Sequence, residues 1–129
     1  MNNIYLLIAA GGACGAVARY VVSGWINGKY PQYFPYSTFF VNLSGCFLLG
    51  LFYTLSLERL GNSPQLKTMI TVGFLGAFTT FSTFSLEGLN LLKEGKVMLC
   101  FLYVGLSVFL GILALWIGMG VAGFLNKLA

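Results

Sequence analysis

The chain has 129 residues, of which 58% are hydrophobic and only 8% are charged, with a formal net charge of +4 at pH 7. A soluble domain carries about a quarter charged residues, so the composition excludes that class and indicates a membrane protein. The seven basic residues form no patch, which argues against a nucleic-acid partner. The chain contains no histidine and no aspartate, so we do not expect an enzyme with nucleophilic chemistry.

Four charge-free runs predict an all-α membrane protein, with one four-helix transmembrane domain over residues 1–129. Each run can hold the roughly 20 apolar residues that cross the hydrocarbon core. The expected spans are 4–26, 34–57, 67–92 and 97–125. Short segments rich in Pro, Gly, Asn and charge separate them and predict turns at the membrane surface. No basic segment precedes the first run, so we expect a retained helix and not a cleaved signal.

The first and last spans contain small residues four positions apart, a spacing that lets two helix backbones approach closely. These pairs are Gly11/Gly15, Gly12/Ala16 and Gly118/Ala122. They indicate helix packing and no particular function. The three cysteines are an odd number and lie inside predicted helices, which gives no disulfide framework. Without histidine, a thiolate metal site is unsupported.

The basic residues are divided almost evenly between the two sides of the predicted bundle. One side receives Arg59, Lys67 and Lys127, and the other receives Lys29, Lys93, Lys96 and the nearby Arg19. Orientation is set by an excess of Lys and Arg in cytoplasmic loops. The balance fits a subunit that inserts both ways and pairs as an antiparallel homodimer, or one orientation fixed by weaker signals. Four helices enclose little interior, so we expect a solute pathway between two subunits.

Asn42 lies deep in the second span, where its amide needs hydrogen-bond partners. Either a neighbouring helix or a permeating solute can supply them. Thr38, four residues earlier, lies on the same helical face, and Tyr103 and Ser107 repeat that spacing in the fourth span. These residues predict polar tracks through an apolar bundle. Hydroxyls that bond to their own helix backbone are the alternative for Ser and Thr.

The third span contains the sequence GAFTTFSTF at 76–84, and we predict a helix break there, after Gly76 and at the two successive threonines Thr79 and Thr80. Unwound backbone within a membrane is tolerated where it is buried in protein or lines a watery cavity. Such a break exposes carbonyl groups that can coordinate a small cation and helix N-termini that attract an anion.

After the predicted break, Phe81 and Phe84 share a helical face, and Ser82 and Thr83 supply hydroxyl groups beside them. An aromatic ring has a positive edge, so rings presented edge-on with polar donors nearby favour a path for a small anion. A cation pathway would call for rings of acidic groups or carbonyls. Ordinary packing of phenylalanine in a bundle that contains twelve of them is the alternative.

Two charged residues lie near or within the ends of the spans. Arg19 either attracts an anion into a vestibule or extends to the membrane interface. We interpret Glu87 as a helix-end residue in preference to a proton carrier.

Three ordered motifs resemble the small bacterial fluoride channels, the Fluc or CrcB family. They are GGACGAVARY at 11–20, STFFVNLSGCFLLG at 37–50 and GFLGAFTTFSTF at 73–84, and with the four-span layout they cover nearly the whole chain. Two positions depart from the family pattern, since Ser37 and Ala77 stand where the family often has glycine. Alanine at position 77 should still allow the break, because carbonyl groups and not side chains would bind a cation there.

The resemblance implies an antiparallel, dual-topology homodimer with two pores in a bacterial inner membrane, exporting fluoride from the cytoplasm. It implies a route lined by Phe81, Phe84, Asn42, Ser82, Thr83, Tyr103, Ser107 and Thr38, with Arg19 at the vestibule. It also implies a structural sodium ion at the dimer interface, held by the backbone carbonyls of Gly76 and Thr79.

Two other functions compete with this interpretation. A small proton-coupled multidrug exporter of dual topology needs an exchangeable carboxylate in the membrane, typically in its first helix, and that helix carries only Arg19. A structural subunit without transport activity would explain the glycine packing but not the clustered hydroxyls and phenylalanines.

Overall fold

The computed structural model describes residues 3–58 and 63–128, and both stretches are helical with short connections. The first span is α1 (Ile4–Lys29), the second is α2 (Tyr36–Glu58) and the fourth is α6 (Val97–Leu128). The third span is built from α3 (Pro64–Thr68), a π-helical segment (Met69–Leu75), α4 (Gly76–Phe78) and α5 (Phe81–Lys93). Four helices in the described residues are long and apolar enough to cross a membrane, which confirms the predicted all-helical membrane class.

At several ends the observed helices extend slightly beyond the spans expected from the sequence. α1 continues to Lys29, and α6 continues into its basic last turn at Lys127. α2 begins two residues later than expected, because Pro35 disfavours a helical conformation in the residue before it. Arg59, which enters the charge comparison, lies outside the described residues.

The second and fourth spans pack together most extensively, and α1 packs mainly against the π-helical segment. Both contacts depend on glycine. A Cβ atom at Gly118 of α6 would press on the backbone carbonyl of Phe47 in α2, and one at Gly15 of α1 would press on the carbonyl of Phe74. The small residues noted in the sequence therefore lie where backbones touch backbones.

The third span changes its backbone geometry twice. The π-helical turns of Met69–Leu75 were not predicted, and the sequence offers no clear signal for them. Thr79 and Thr80 then adopt extended backbone, with φ and ψ of −79° and 158° and of −148° and 119°, before α5 begins at Phe81. Both residues lie between helical segments of one span, so their backbone groups need partners from outside the helix.

A small aromatic core lies between α5, α6 and the start of α2. The side chain of Tyr103 is fully buried, together with Leu91 and Cys100. The Tyr103 ring centroid lies 5.4 Å from that of Phe34 and 5.1 Å from that of Phe84. This core fixes the face of α5 that carries Phe84.

Candidate functional site

The side chain of Asn42 on α2 bonds both polar backbone groups of Thr80. Asn42 Oδ1 accepts from the Thr80 N–H at 2.8 Å, and Asn42 Nδ2 donates to the Thr80 carbonyl at 3.1 Å. An extended residue in an apolar span leaves these two groups without helical partners, at a cost of several kcal/mol if unpaired in lipid. Asn42 therefore replaces the missing helical bonds, and its second amide hydrogen stays available for another acceptor.

The hydroxyl of Thr80 caps α5. Thr80 Oγ1 accepts from the Thr83 N–H at 3.2 Å and donates to Thr83 Oγ1 at 3.0 Å, while Ser82 Oγ lies 3.4 Å away. Threonine is a favoured residue at this N-cap position because its oxygen satisfies a free N–H of the first turn. The two threonines that predicted a break thus also supply the start signal of the next helix.

Because of these two sets of hydrogen bonds, two backbone carbonyl groups lose the N–H partners that a continuous helix would give them. In a continuous α-helix the Thr80 N–H would bond the Gly76 carbonyl, and the Thr83 N–H would bond the Thr79 carbonyl. Here the first donates to Asn42 and the second to Thr80 Oγ1. Carbonyl oxygens freed in this way are suitable ligands for a hard cation, so the residues present fit a sodium ion. No cluster of three or more His, Cys, Asp or Glu side chains occurs among the described residues.

A cavity of about 310 Å³, the phenylalanine cavity, lies beside this interruption. It is lined by Phe81, Phe84, Asn42, Thr80 and Ser107, together with Gly76 and Thr79. Phe81 is 78% exposed, and its ring centroid lies 5.7 Å from that of Phe84 with a tilt of 41° between the planes. The hydroxyl of Ser107 is buried and has no hydrogen-bond partner among the described residues. The cavity thus combines aromatic rings with donors that lack acceptors.

A second cavity of about 340 Å³, the arginine cavity, also has Thr80 in its lining. Its lining includes Arg19, Thr38, Thr83 and Glu87, and it shares Thr80 with the phenylalanine cavity. The guanidinium group of Arg19 and the hydroxyl of Thr83 favour an anion in this space. The carboxyl group of Glu87, which Thr38 and Tyr103 hold by hydrogen bonds, lies in the same lining. Thr80, only 8% exposed, is a lining residue of both cavities.

Glu87 joins three spans. Thr38 Oγ1 on α2 donates to Glu87 Oε1 at 2.8 Å, and the Tyr103 hydroxyl on α6 donates to Glu87 Oε2 at 2.7 Å. Glu87 also lines a third cavity of about 200 Å³ with Asn27, Asn90 and Lys96. The interpretation of Glu87 as a simple helix-end residue is wrong, because its carboxyl group accepts hydrogen bonds from two other spans within the bundle.

The predicted site residues separate into groups. Phe81, Phe84, Asn42, Ser107, Gly76 and Thr79 line the phenylalanine cavity, and Arg19, Thr38 and Thr83 line the arginine cavity. Ser82 is exposed beside Thr80, and Tyr103 is buried behind Phe84; in the described part of the chain neither lines these two cavities.

Two residues that sequence reasoning left out of the site occupy central positions in it. Thr80 lines both cavities, and Glu87 connects Thr38 with Tyr103. The signal for Thr80 was the preference of threonine for helix N-caps. The signal for Glu87 was a carboxylate in a membrane span, which is a functional-site candidate by default.

Comparison with known proteins gives consistent results. The family model described as "CrcB-like protein, Camphor Resistance (CrcB)" matches residues 6–119. A protein named fluoride-specific ion channel FluC from Acidobacterium capsulatum is 48% identical over 115 residues, covering 89% of this chain and 92% of that relative. Fluoride-specific ion channel FluC 1 from Moorella thermoacetica is 45% identical over 119 residues, covering 92% and 85% respectively. A FluC protein from Stutzerimonas stutzeri is 44% identical over 122 residues, covering 95% and 98%.

Proposed function

Because this chain belongs to the CrcB-like family, we propose that it is a fluoride-selective passive channel that exports fluoride from the cytoplasm and so lowers its toxicity. The observation that carries the proposal is the agreement between relatives named as fluoride channels and a cavity lined by Phe81, Phe84, Asn42 and Ser107. These relatives are named as ion channels and not as enzymes, so we propose no catalysed reaction.

The lining of the phenylalanine cavity suits a small anion. Fluoride is strongly hydrated, and a narrow route must replace its water with hydrogen-bond donors and positive ring edges. The second amide hydrogen of Asn42 and the buried hydroxyl of Ser107 are such donors. Larger anions would be rejected by the width of the route.

The arginine cavity is the entrance in this proposal. Arg19 raises the local concentration of anions there, and the hydroxyl of Thr83 offers a donor on the way to the phenylalanine cavity, whereas the Thr38 hydroxyl donates to Glu87. Ser82 and Tyr103 belong to the proposed polar tracks, outside the linings of the two cavities. Outward movement needs no coupled energy source, because a membrane potential that is negative inside favours export by about 2.3 kcal/mol per 100 mV.

The working unit of the proposal is an antiparallel homodimer in a bacterial inner membrane. In a single subunit Phe81, which lines the cavity, is 78% exposed, so the route lacks a wall that a second copy would supply. Near-equal numbers of basic residues on the two sides support insertion in both orientations. The interruption at Thr79 and Thr80 would then lie at mid-membrane depth, close to the contact between the copies.

A structural sodium ion belongs to the same proposal. The carbonyls of Gly76 and Thr79 would hold it, and their release from helical bonding by Asn42 and Thr80 supports this assignment. The ion would supply positive charge that holds the two interrupted helices together across the interface.

The proton-coupled exporter receives less support. If this chain were such an exporter, we would not expect its relatives to be named as fluoride-specific ion channels. The carboxyl group of Glu87 is engaged by Thr38 and Tyr103, whereas an exchanging carboxylate must be free to bind its substrate.

Efflux from liposomes tests the proposed function directly. Purified protein is reconstituted into vesicles loaded with potassium fluoride or potassium chloride. A potassium ionophore lets K⁺ leave with the anion, so that no membrane potential builds up to stop the efflux. Rapid release of fluoride without matching release of chloride is expected. Folded protein that releases neither ion, or both equally, would refute a selective fluoride channel.

A further inference from the structure

We propose that Thr80 is a positioning residue of the fluoride route, which fixes the first turn of α5 and directs the Thr83 hydroxyl into the arginine cavity. This inference rests on the proposed function and adds a residue to it.

The first support is the number of separate contacts that converge on Thr80. Its N–H and carbonyl are held from α2 by Asn42, at 2.8 and 3.1 Å. Its hydroxyl bonds both the N–H and the hydroxyl of Thr83. A residue that is held at both its N–H and its carbonyl, and whose side chain caps the following helix, has little conformational freedom. The residue that follows it, Phe81, therefore starts from a fixed point at the mouth of the phenylalanine cavity.

The second support is the direction of the hydroxyl protons. A threonine hydroxyl has one proton to donate. Thr80 Oγ1 donates its proton to Thr83 Oγ1, so the Thr83 hydroxyl must direct its own proton elsewhere. The Thr83 side chain is exposed and lines the arginine cavity. The bond from Thr80 thus presents Thr83 to that cavity as a donor, which is the polarity an anion requires.

The third support is location. Thr80 lines both the phenylalanine cavity and the arginine cavity while its side chain stays almost fully buried. On the proposed route from one cavity to the other, an anion passes close to this residue. A change in the Thr80 hydroxyl would therefore alter conduction without removing any ring or charge from the route.

The test compares Thr80→Val, Thr80→Ser and wild-type protein in fluoride efflux. Valine keeps the shape of threonine and favours the extended backbone at this position, so the peptide contacts to Asn42 remain possible. It removes only the hydroxyl, whereas serine retains it. Thr68→Val is the matched control, because the Thr68 hydroxyl bonds its own helix at the Pro64 carbonyl and Thr68 lines neither cavity.

Reconstitution at less than one channel per vesicle on average separates folding from conduction. The fraction of vesicles that release fluoride counts folded channels, and the rate of release, followed by rapid mixing, reports on the route. We expect Thr80→Val to slow release by about fivefold to tenfold with an unchanged fraction of active vesicles. Thr80→Ser should restore the rate to within about threefold of wild type, and Thr68→Val should leave it unchanged.

A double variant tests whether Thr80 acts through Thr83. If it does, Thr80→Val combined with Thr83→Val should be scarcely slower than the slower single variant, because both remove the same donor. Rates that multiply independently would contradict the inference. So would a wild-type rate in Thr80→Val, or a loss of active vesicles with a normal rate in the rest. Wild-type protein that releases no fluoride would instead refute the proposed function, and the inference with it.

Discussion

The hydroxyl of Tyr103 on α6 donates to Glu87 Oε2 on α5 at 2.7 Å, while the Tyr103 ring is fully buried. The bond links two spans through a carboxyl group whose other oxygen is bonded by Thr38 of a third span. A hydroxyl that reaches a carboxyl group inside an apolar bundle stabilises the assembly by bonding and also prevents an unpaired polar atom.

Tyr103→Phe keeps the aromatic packing and removes this donor. We expect the free energy of unfolding to fall by about 1–3 kcal/mol, because one oxygen of Glu87 loses its partner in a part-buried position. Denaturant unfolding in detergent micelles measures the change. Tyr5→Phe is the control, since the Tyr5 side chain is 83% exposed. Equal stability of the two variants would mean that the bond contributes nothing measurable.

The pair Phe81 and Phe84 provides a test of the aromatic route. Phe81→Ile and Phe84→Ile should slow fluoride efflux while the protein remains folded and assembled, because isoleucine offers no positive ring edge to an anion. Phe124→Ile serves as the control, since Phe124 is 62% exposed near the far end of α6. The measurement is the release rate per active vesicle. Unchanged rates in both pore variants would remove the rings from the mechanism.

Contact between α2 and α6 depends on the absence of a side chain at Gly118. Gly118→Ala would place a methyl group against the Phe47 carbonyl, and such overpacking costs about 1–3 kcal/mol. Gly120→Ala is a matched control on the same helix, because a Cβ there meets no atom within 4 Å. Alanine at that site should be neutral or slightly stabilising in the helix. Thermal unfolding in detergent distinguishes them, and identical midpoints would contradict the close backbone contact.

The four spans could be predicted because hydropathy and turn residues are local properties of the sequence. The same holds for the need of Asn42 for a partner, since an amide in lipid is costly whatever surrounds it. Which partner it finds depends on helix packing. The sequence alone therefore could not distinguish between a neighbouring helix and a solute. The structure gives the first, through the Thr80 peptide, and leaves one amide hydrogen for the second.

Other features depend on tertiary geometry and were missed for that reason. Glu87 reads as a helix-end charge in the sequence, because Thr38 and Tyr103 are distant from it along the chain. The π-helical turns of Met69–Leu75 occur where that segment packs against the glycines of α1, a contact that the sequence of the segment alone does not reveal. The extended backbone of Thr80 in the third span likewise depends on a neighbouring span, because the Asn42 side chain of α2 bonds its N–H and carbonyl.

The released carbonyls of Gly76 and Thr79 predict that sodium stabilises the protein. Detergent-solubilised protein should unfold at a higher temperature in sodium chloride than in choline chloride of equal ionic strength, since choline is too large to enter a carbonyl site. A ligand at 100 times its dissociation constant adds about 2.7 kcal/mol to the free energy of unfolding. Asn42→Ala should reduce the sodium effect, because the Thr80 N–H would be free to return to the Gly76 carbonyl. Asn90→Ala, at an exposed position on α5, should preserve it. Unfolding temperatures that are the same in sodium and choline at every concentration would exclude a structural sodium ion, whatever the fluoride efflux of the same preparation.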